Sequence, residues 1–241
     1  MFDVIIIGGG VVGASVAAHL SKKKGKFLLL EKNEDVCTET TKANSGICHG
    51  GYDAVPGTLK AKFNVEGNQM MEEESKLFAF PYKKIGTLVL CHDEKDMPNL
   101  QKLYDYGIEN GVKGMKILNR EETLALEDNI TDDVVASLYC EEAGILDPFL
   151  MNIAYAEVSN INGVDYKFNT KVEKIERKDD HWVLNTNNGD FETKAVINCA
   201  GVYSDEIHNQ VSDTKYKIKA RRGEYLLLDK ETSGFVNHEI G

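Results

Sequence analysis

The first thirty positions carry two dense apolar blocks separated by small residues. Phe2 to Ile7 is a short, continuous apolar run, the pattern of a parallel strand buried on both faces. Gly10 to Lys22, rich in alanine and valine, predicts a helix, and Lys26 to Leu30 predicts a second strand, so the chain opens as a βαβ unit. The polar segment NEDVCTETTKANSGICHGGYDAVPG follows and is too long for a mere connector. Leu59 to Phe78 then reads as a helix, with Leu59, Phe63, Met70, Leu77 and Phe78 as expected core positions.

From Lys84 the texture changes. KIGTLVLCH predicts a strand, MPNLQKLYDYGIENG an amphipathic helix stopped by glycine, and VVASLYC another strand. This middle portion, 81–144, reads as an inserted α+β domain. Pro148 suits the first turn of a helix running to about Asn160. VDYKFNTKVEKIERK and HWVLNTNNGDFETKAVINCAG alternate as strands do, and Asn187-Asn188-Gly189 marks a hairpin between two such runs. A short helix is expected near Ser204 to Val211. KIKARRGEYLLLD, 217–229, predicts a last long strand.

Gly8-x-Gly10-x-x-Gly13 falls between the first strand and the first helix, the context that gives the pattern meaning. The first glycine permits a tight turn, the second lets backbone approach a pyrophosphate, and the third lets helix pack on strand. A helix N-terminus favours the pyrophosphate's charge. Glu31 stands 18 residues beyond Gly13, at the end of the second strand. There a carboxylate accepts hydrogen bonds from ribose hydroxyls and repels a 2′-phosphate. The loop therefore predicts a dinucleotide, and by itself admits FAD and NAD alike.

Composition narrows the partners. With 28 basic against 39 acidic residues the formal charge is −11, which argues against non-specific binding to nucleic acid or anionic membranes. Any anionic substrate needs a local basic pocket. The five cysteines, Cys37, Cys48, Cys91, Cys140 and Cys199, show neither metal-ligand spacing nor a disulfide framework. A reducing, cytoplasmic compartment fits them. No secretory leader is visible, and the apolar runs fall short of the roughly 20 residues that span a bilayer. Peripheral attachment through a partner stays open.

The order DVIIIGGGVVGASVAAHL, TTKANSGICHGGYDAVPGTLKAK, VEKIE, AVINCAGVYSDEI and RRGEYLLLD resembles the flavin-dependent oxidoreductases of the D-amino-acid-oxidase type. Within them it is most similar to FAD-dependent glycerol-3-phosphate and L-2-hydroxyglutarate dehydrogenases. The resemblance implies an α/β fold: a Rossmann-like FAD-binding domain (1–80 and 145–212) carrying an α+β substrate domain (81–144 and 213–241), the latter incomplete because the family's C-terminal part is missing. It implies FAD as cofactor, and the cysteine spacing gives no reason to expect a metal. Glu31 falls on the family's ribose acid with Lys32 beside it, and Thr41, Asn44, Ser45 and Gly46 on its flavin-contacting loop. Val172 falls on the residue whose backbone meets adenine. Ala200 and Gly201 fall on the small residues where a strand returns beneath the dinucleotide; ordinary core packing also accounts for Val172 and Ala200.

His49 stands where relatives place residues near the flavin ring. It either takes a substrate hydroxyl proton or only hydrogen-bonds loop backbone. Arg221 and Arg222 are candidate anchors for phosphate or carboxylate, and strand alternation admits only one of them to a pocket; a surface pair is the alternative. Ala220 replaces the usual proline. Lys60 and Lys62 are weaker candidates.

The implied reaction oxidises the secondary alcohol of a small anionic substrate, glycerol 3-phosphate being favoured, by hydride transfer to flavin. A 2-hydroxy acid substrate, or a non-catalytic nucleotide-binding fragment that needs a partner chain, are the alternatives. An unpaired last strand is expected to recruit a second copy or a companion subunit, or to lack order from about Lys215 onward.

Overall fold

The chain begins, as its pattern predicts, with β1 (Phe2–Ile7), α1 (Val11–Leu20) and β2 (Phe27–Leu30). It then builds β3 (Ile47–Cys48), α2 (Leu59–Phe78), β4 (Tyr82–Lys84), β5 (Thr87–Cys91) and α3 (Met97–Asn110). Next come β6 (Met115–Asn119), α4 (Arg120–Leu126), β7 (Ala136–Cys140) and β8 (Gly144–Leu146). After them follow α5 (Pro148–Ile161), β9 (Asp165–Lys167), β10 (Val172–Lys178), β11 (His181–Thr186), β12 (Gly189–Asn198), α6 (Ser204–Val211) and finally β13 (Glu239–Ile240). This computed structural model describes residues 1–226, 228–232 and 234–241, with backbone alone at Thr232. The chain divides into two units, 1–45 with 148–224, and 46–147 with 225–241.

The first unit is a six-stranded sheet in the order β10-β11-β12-β1-β2-β9. β12, β1, β2 and β9 run parallel, while β10, β11 and β12 pair antiparallel. The continuous apolar runs of β1 and β2 are explained by burial on both faces. Ile5, Ile7, Leu28 and Leu30 pack on one side with Val172, Ile175, Leu184 and Ile207. Ile6, Phe27 and Leu29 pack on the other with Ala17 and Val164. Along α1, Gly13, Ala14, Ala17 and Ala18 are buried, and their small size lets this helix lie close against the sheet and α5. The Asn187-Asn188 hairpin forms as expected, with Thr186 paired to Gly189 at φ 93°.

The second unit carries a four-stranded sheet, β13-β5-β7-β6, and a three-stranded one, β3-β8-β4. Its core gathers Tyr52, Val65, Leu100, Val112, Met115 and Leu138. Gly111, at φ 80°, ends α3 in the left-handed conformation glycine adopts most readily. Asn119 and Glu122 begin α4 with a reciprocal capping box.

Three expectations need correction. The division between units falls at 45/46, 147/148 and 224/225, not at 80/81, 144/145 and 212/213. Segment 46–80 goes with the second unit because β3 pairs with β8, Val65 joins that unit's core, and the Asn68 Nδ2 donates to the Glu142 carbonyl at 2.8 Å. α2 has the expected bounds but presents a different face. It buries Ala61, Val65, Asn68, Ser75 and Phe78, leaving Leu59, Phe63, Met70 and Leu77 more than half exposed. The hydrogen bonds of Asn68 and the small side chains beside it select that face against the larger apolar one.

The third correction concerns 217–229, where the described residues form no strand; Leu227 lies outside the described residues. Tyr225, Leu226 and Leu228 are exposed. An alternating pattern becomes a strand only where a neighbour accepts its ladder of hydrogen bonds, and among the described residues none does.

Candidate functional site

The C-terminal ends of β1, β2 and β12 surround a cavity of about 460 Å³ in the first unit. Crevices at the carboxyl ends of parallel strands are the general ligand position in open α/β sheets. Ile7, Gly8 and Gly10 line it from the first turn, Leu30, Glu31 and Lys32 from the second strand, and Cys199, Ala200 and Gly201 from the returning one. Thr170, Lys171 and Val172 close one side, and Tyr203, Glu206 and Ile207 another. Burial pushes the Cys199 thiol up, so it contributes to the wall as a neutral group.

Backbone contacts explain why the loop needs glycine. Gly8 is at φ 108°, and a side chain there would run into the Cys199 carbonyl; one at Gly13 would overlap the Gly8 carbonyl oxygen. Gly10 is different, since a Cβ would meet only the Thr41 Oγ1 at 3.2 Å, leaving its bare backbone as the floor of the cavity. The loop is then fastened from four sides. Gly8 N–H donates to the Leu30 carbonyl at 2.8 Å. Gly9 N–H donates to Glu31 Oε2 at 2.7 Å. The Gly9 carbonyl accepts from Cys37 N–H and from Asn152 Nδ2, both at 3.2 Å. Val11 N–H donates to Thr41 Oγ1 at 3.0 Å.

Glu31 is only 6% exposed. Its other oxygen accepts from Asn33 N–H at 2.9 Å, so two backbone donors hold the carboxylate at the cavity wall, each oxygen keeping a further lone pair. Next to it, Lys32 Nζ pairs with Glu39 Oε1 at 2.7 Å and lies 3.9 Å from the centre of the Tyr203 ring. Partial burial alone would lower the Lys32 pKa, but the Glu39 bond and charge outweigh it and raise it. The same bond holds the Glu39 carboxyl below the usual range.

Of the residues singled out from sequence, the structure brings Gly8, Gly10, Glu31, Lys32, Thr41, Val172, Ala200 and Gly201 around one cavity, with Gly13 buried at its base. Asn44 turns back to donate to the carbonyls of Thr40 and Thr41, stabilising the loop. Ser45 ends a segment of the first unit, while Gly46 and His49 belong to the second. Gly46 accepts the Leu146 N–H at 2.8 Å, and the His49 carbonyl accepts from the side chains of Asn64 and Asn68. Arg221 and Arg222 are exposed and outside any strand, so the alternation argument for choosing one of them lapses; Arg222 pairs with Glu224 at 3.4 Å. Lys60 and Lys62 are exposed beside Asp53 and Glu66.

Sequence reasoning missed Glu39, Asn152 and Tyr203. Tyr203 carried a legible signal, two residues past the Ala200-Gly201 pair. Asn152 carried none, because its contact with Gly9 spans 143 positions. Among the described residues no His, Cys, Asp or Glu cluster could hold a metal, and no helix is long and apolar enough to cross a membrane.

These features fit a dinucleotide: bare backbone at Gly10 where α1 begins, and a buried acid at the end of the neighbouring strand. Comparison with known proteins agrees. Residues 3–240 match the model of the FAD dependent oxidoreductases. The chain is 46% identical, over its full length, to a glycerol 3-phosphate dehydrogenase of Caloramator mitchellensis, of which it covers 50%. It is 34% identical over 99% of its length to an L-2-hydroxyglutarate dehydrogenase of Indibacter alkaliphilus, covering 60% of that protein. Among solved structures, L-alpha-glycerophosphate oxidase from Mycoplasma pneumoniae with FAD bound superposes with TM-score 0.81 at 35% identity, over 87% of this chain and 56% of that one. The chain thus spans about half to three fifths of the length of these relatives.

Proposed function

Because the chain belongs to the family of FAD dependent oxidoreductases, we propose that it holds FAD in the cavity of the first unit and serves the oxidation of a secondary alcohol on a small anion, glycerol 3-phosphate. The observation that carries the cofactor assignment is the loop itself. Gly10 presents bare backbone at the start of α1, and Glu31 is locked by Gly9 and Asn33 where a ribose can meet it. FAD supplies the acceptor for the hydride. The chain's residues bind and orient it: Glu31 toward the ribose, the first turn of α1 and Thr41 toward the pyrophosphate, and Val172, Ala200 and Gly201 along the dinucleotide.

For the substrate, the reading gives His49 the hydroxyl proton and Arg221 or Arg222 the anion. Glycerol 3-phosphate is favoured by the names of the dehydrogenase at 46% identity and the oxidase structure at 35%. An L-2-hydroxy acid is the second reading, favoured by the relative at 34%. Both substrates are secondary alcohols with an anionic group, and arginine binds phosphate and carboxylate alike. Electrons then pass to a quinone, a partner protein or oxygen.

The test is anaerobic titration of the FAD-loaded chain. Bleaching of flavin absorbance by glycerol 3-phosphate and not by L-2-hydroxyglutarate is expected. Bleaching by the hydroxy acid alone moves the assignment to the second reading. A chain that takes up no FAD at any concentration defeats both.

A further inference from the structure

Tyr203 stands on a short turn fixed at both ends. Gly201 opens it at φ 56°, Tyr203 N–H donates to the Ala200 carbonyl at 3.0 Å, and α6 begins at the next residue. The residue is 40% exposed and lines the cavity together with Val172 and Ile207. The Lys32 ammonium lies over that ring, and Glu39 holds the ammonium there. Lys32 directly follows Glu31, so the ring it covers stands at the ribose end of the cavity, where the base attached to that ribose belongs.

Resting on the dinucleotide reading of this cavity, we infer that Tyr203 is the platform on which the adenine ring stacks, and that Lys32, tethered by Glu39, caps the platform until the base displaces it. The exchange is downhill. A base that stacks on the aromatic face also brings ribose and phosphate contacts that the half-buried ammonium lacks. Lys32 also loses little, because its ion pair with Glu39 survives when the ring is taken. The turn holds the Tyr203 backbone in place throughout, so the ring is presented without reorganisation of the chain. Tyr203 is thus a positioning residue for the adenosine half, and Lys32 slows entry without adding to the final affinity.

Titration calorimetry of the purified chain with FAD, ADP and FMN tests this, with circular dichroism confirming the fold of each variant. Tyr203→Ala should weaken FAD and ADP about tenfold and leave FMN, which has no adenine, unaffected. Tyr203→Phe keeps the ring and should bind both adenine nucleotides within about twofold of the parent. Lys32→Met should raise the association rate of ADP several-fold in stopped flow. Equal affinity of parent and Tyr203→Ala for ADP removes the platform, and an unchanged rate in Lys32→Met removes the cap. If the parent binds neither FAD nor ADP, the reading of the cavity falls and the platform with it.

Discussion

Two stretches stood out in the sequence as bearers of chemistry, the glycine loop at 8–13 and the arginine segment at 217–229, and the structure treats them in opposite ways. The loop is over-determined. Strand pairing, a buried carboxylate, a threonine hydroxyl and an asparagine side chain all fasten it. The described part of the arginine segment is irregular and solvated, and the ion pair of Arg222 with Glu224 lies between side chains 85% and 78% exposed. A motif that finds its first partners, Leu30 and Glu31, at the end of its own βαβ unit takes shape as that unit folds. A strand pattern waits for a neighbour. Farther along, the chain is caught again: Glu127 Oε2 accepts Asn237 N–H at 2.6 Å and His238 N–H at 3.3 Å, and β13 runs beside β5.

The contrast can be broken most sharply at Gly13. Gly13→Val puts a side chain on the Gly8 carbonyl, and should cost at least about 3 kcal/mol of stability, read by urea unfolding. Gly10→Val, facing only the Thr41 hydroxyl, should fold normally yet retain no FAD after gel filtration. Parent-like stability of the first, or parent-like flavin content of the second, would show that the loop is less constrained than its contacts say.

Glu31→Ala removes the acceptor of two buried N–H groups. A ribose hydroxyl bonded to the carboxylate is worth at most roughly 1.5–3 kcal/mol, so FAD affinity should fall by up to about a hundredfold per bond lost, with Glu31→Gln intermediate. Calorimetry giving an unchanged dissociation constant would make Glu31 a structural acid only.

Glu127 sharpens the other half. Burial alone would raise its pKa, but the N–H of Asn237 and the ring and N–H of His238 outweigh this and hold it below the usual carboxylate range. A carboxyl depressed in the folded state contributes stability above its unfolded pKa and loses it as pH falls through the folded one. Glu127→Gln should therefore cost about 1–2 kcal/mol at neutral pH, and the difference from the parent should vanish in acid. A difference that persists there would show that the charge is not what clamps β13.

The smallest effect is expected at Arg222→Ala: unfolding free energy within about 0.5 kcal/mol of the parent and unchanged FAD affinity. Hydrogen exchange across 219–226 should be fast. Slow exchange there would reveal a partner for the segment in solution.

Much of the site was legible because its logic is local. Strand, turn and helix follow one another within thirty residues, and Glu31 ends the strand that pairs with β1. Val172, Ala200 and Gly201 were reached by resemblance, since a strand returning from far along the chain leaves no local signature. The face of α2 was misjudged for a related reason. Leu59, Phe63, Met70 and Leu77 share one stripe by helical spacing, and periodicity alone favours burying the larger side chains.

The sequence by itself therefore determined the βαβ opening, the glycine turn, the helix bounds of α2 and α6 and the hairpin at Asn187-Asn188, all products of steric rules acting over a few residues. Tertiary structure decided what those rules leave open. It placed Asn152 under Gly9 and Tyr203 beneath Lys32, sent α2 to the second unit through Asn68, and left the described residues of 217–229 without a ladder. Each of these depends on which distant backbone groups need partners, and a buried hydrogen bond left unmade costs more than any local preference gains.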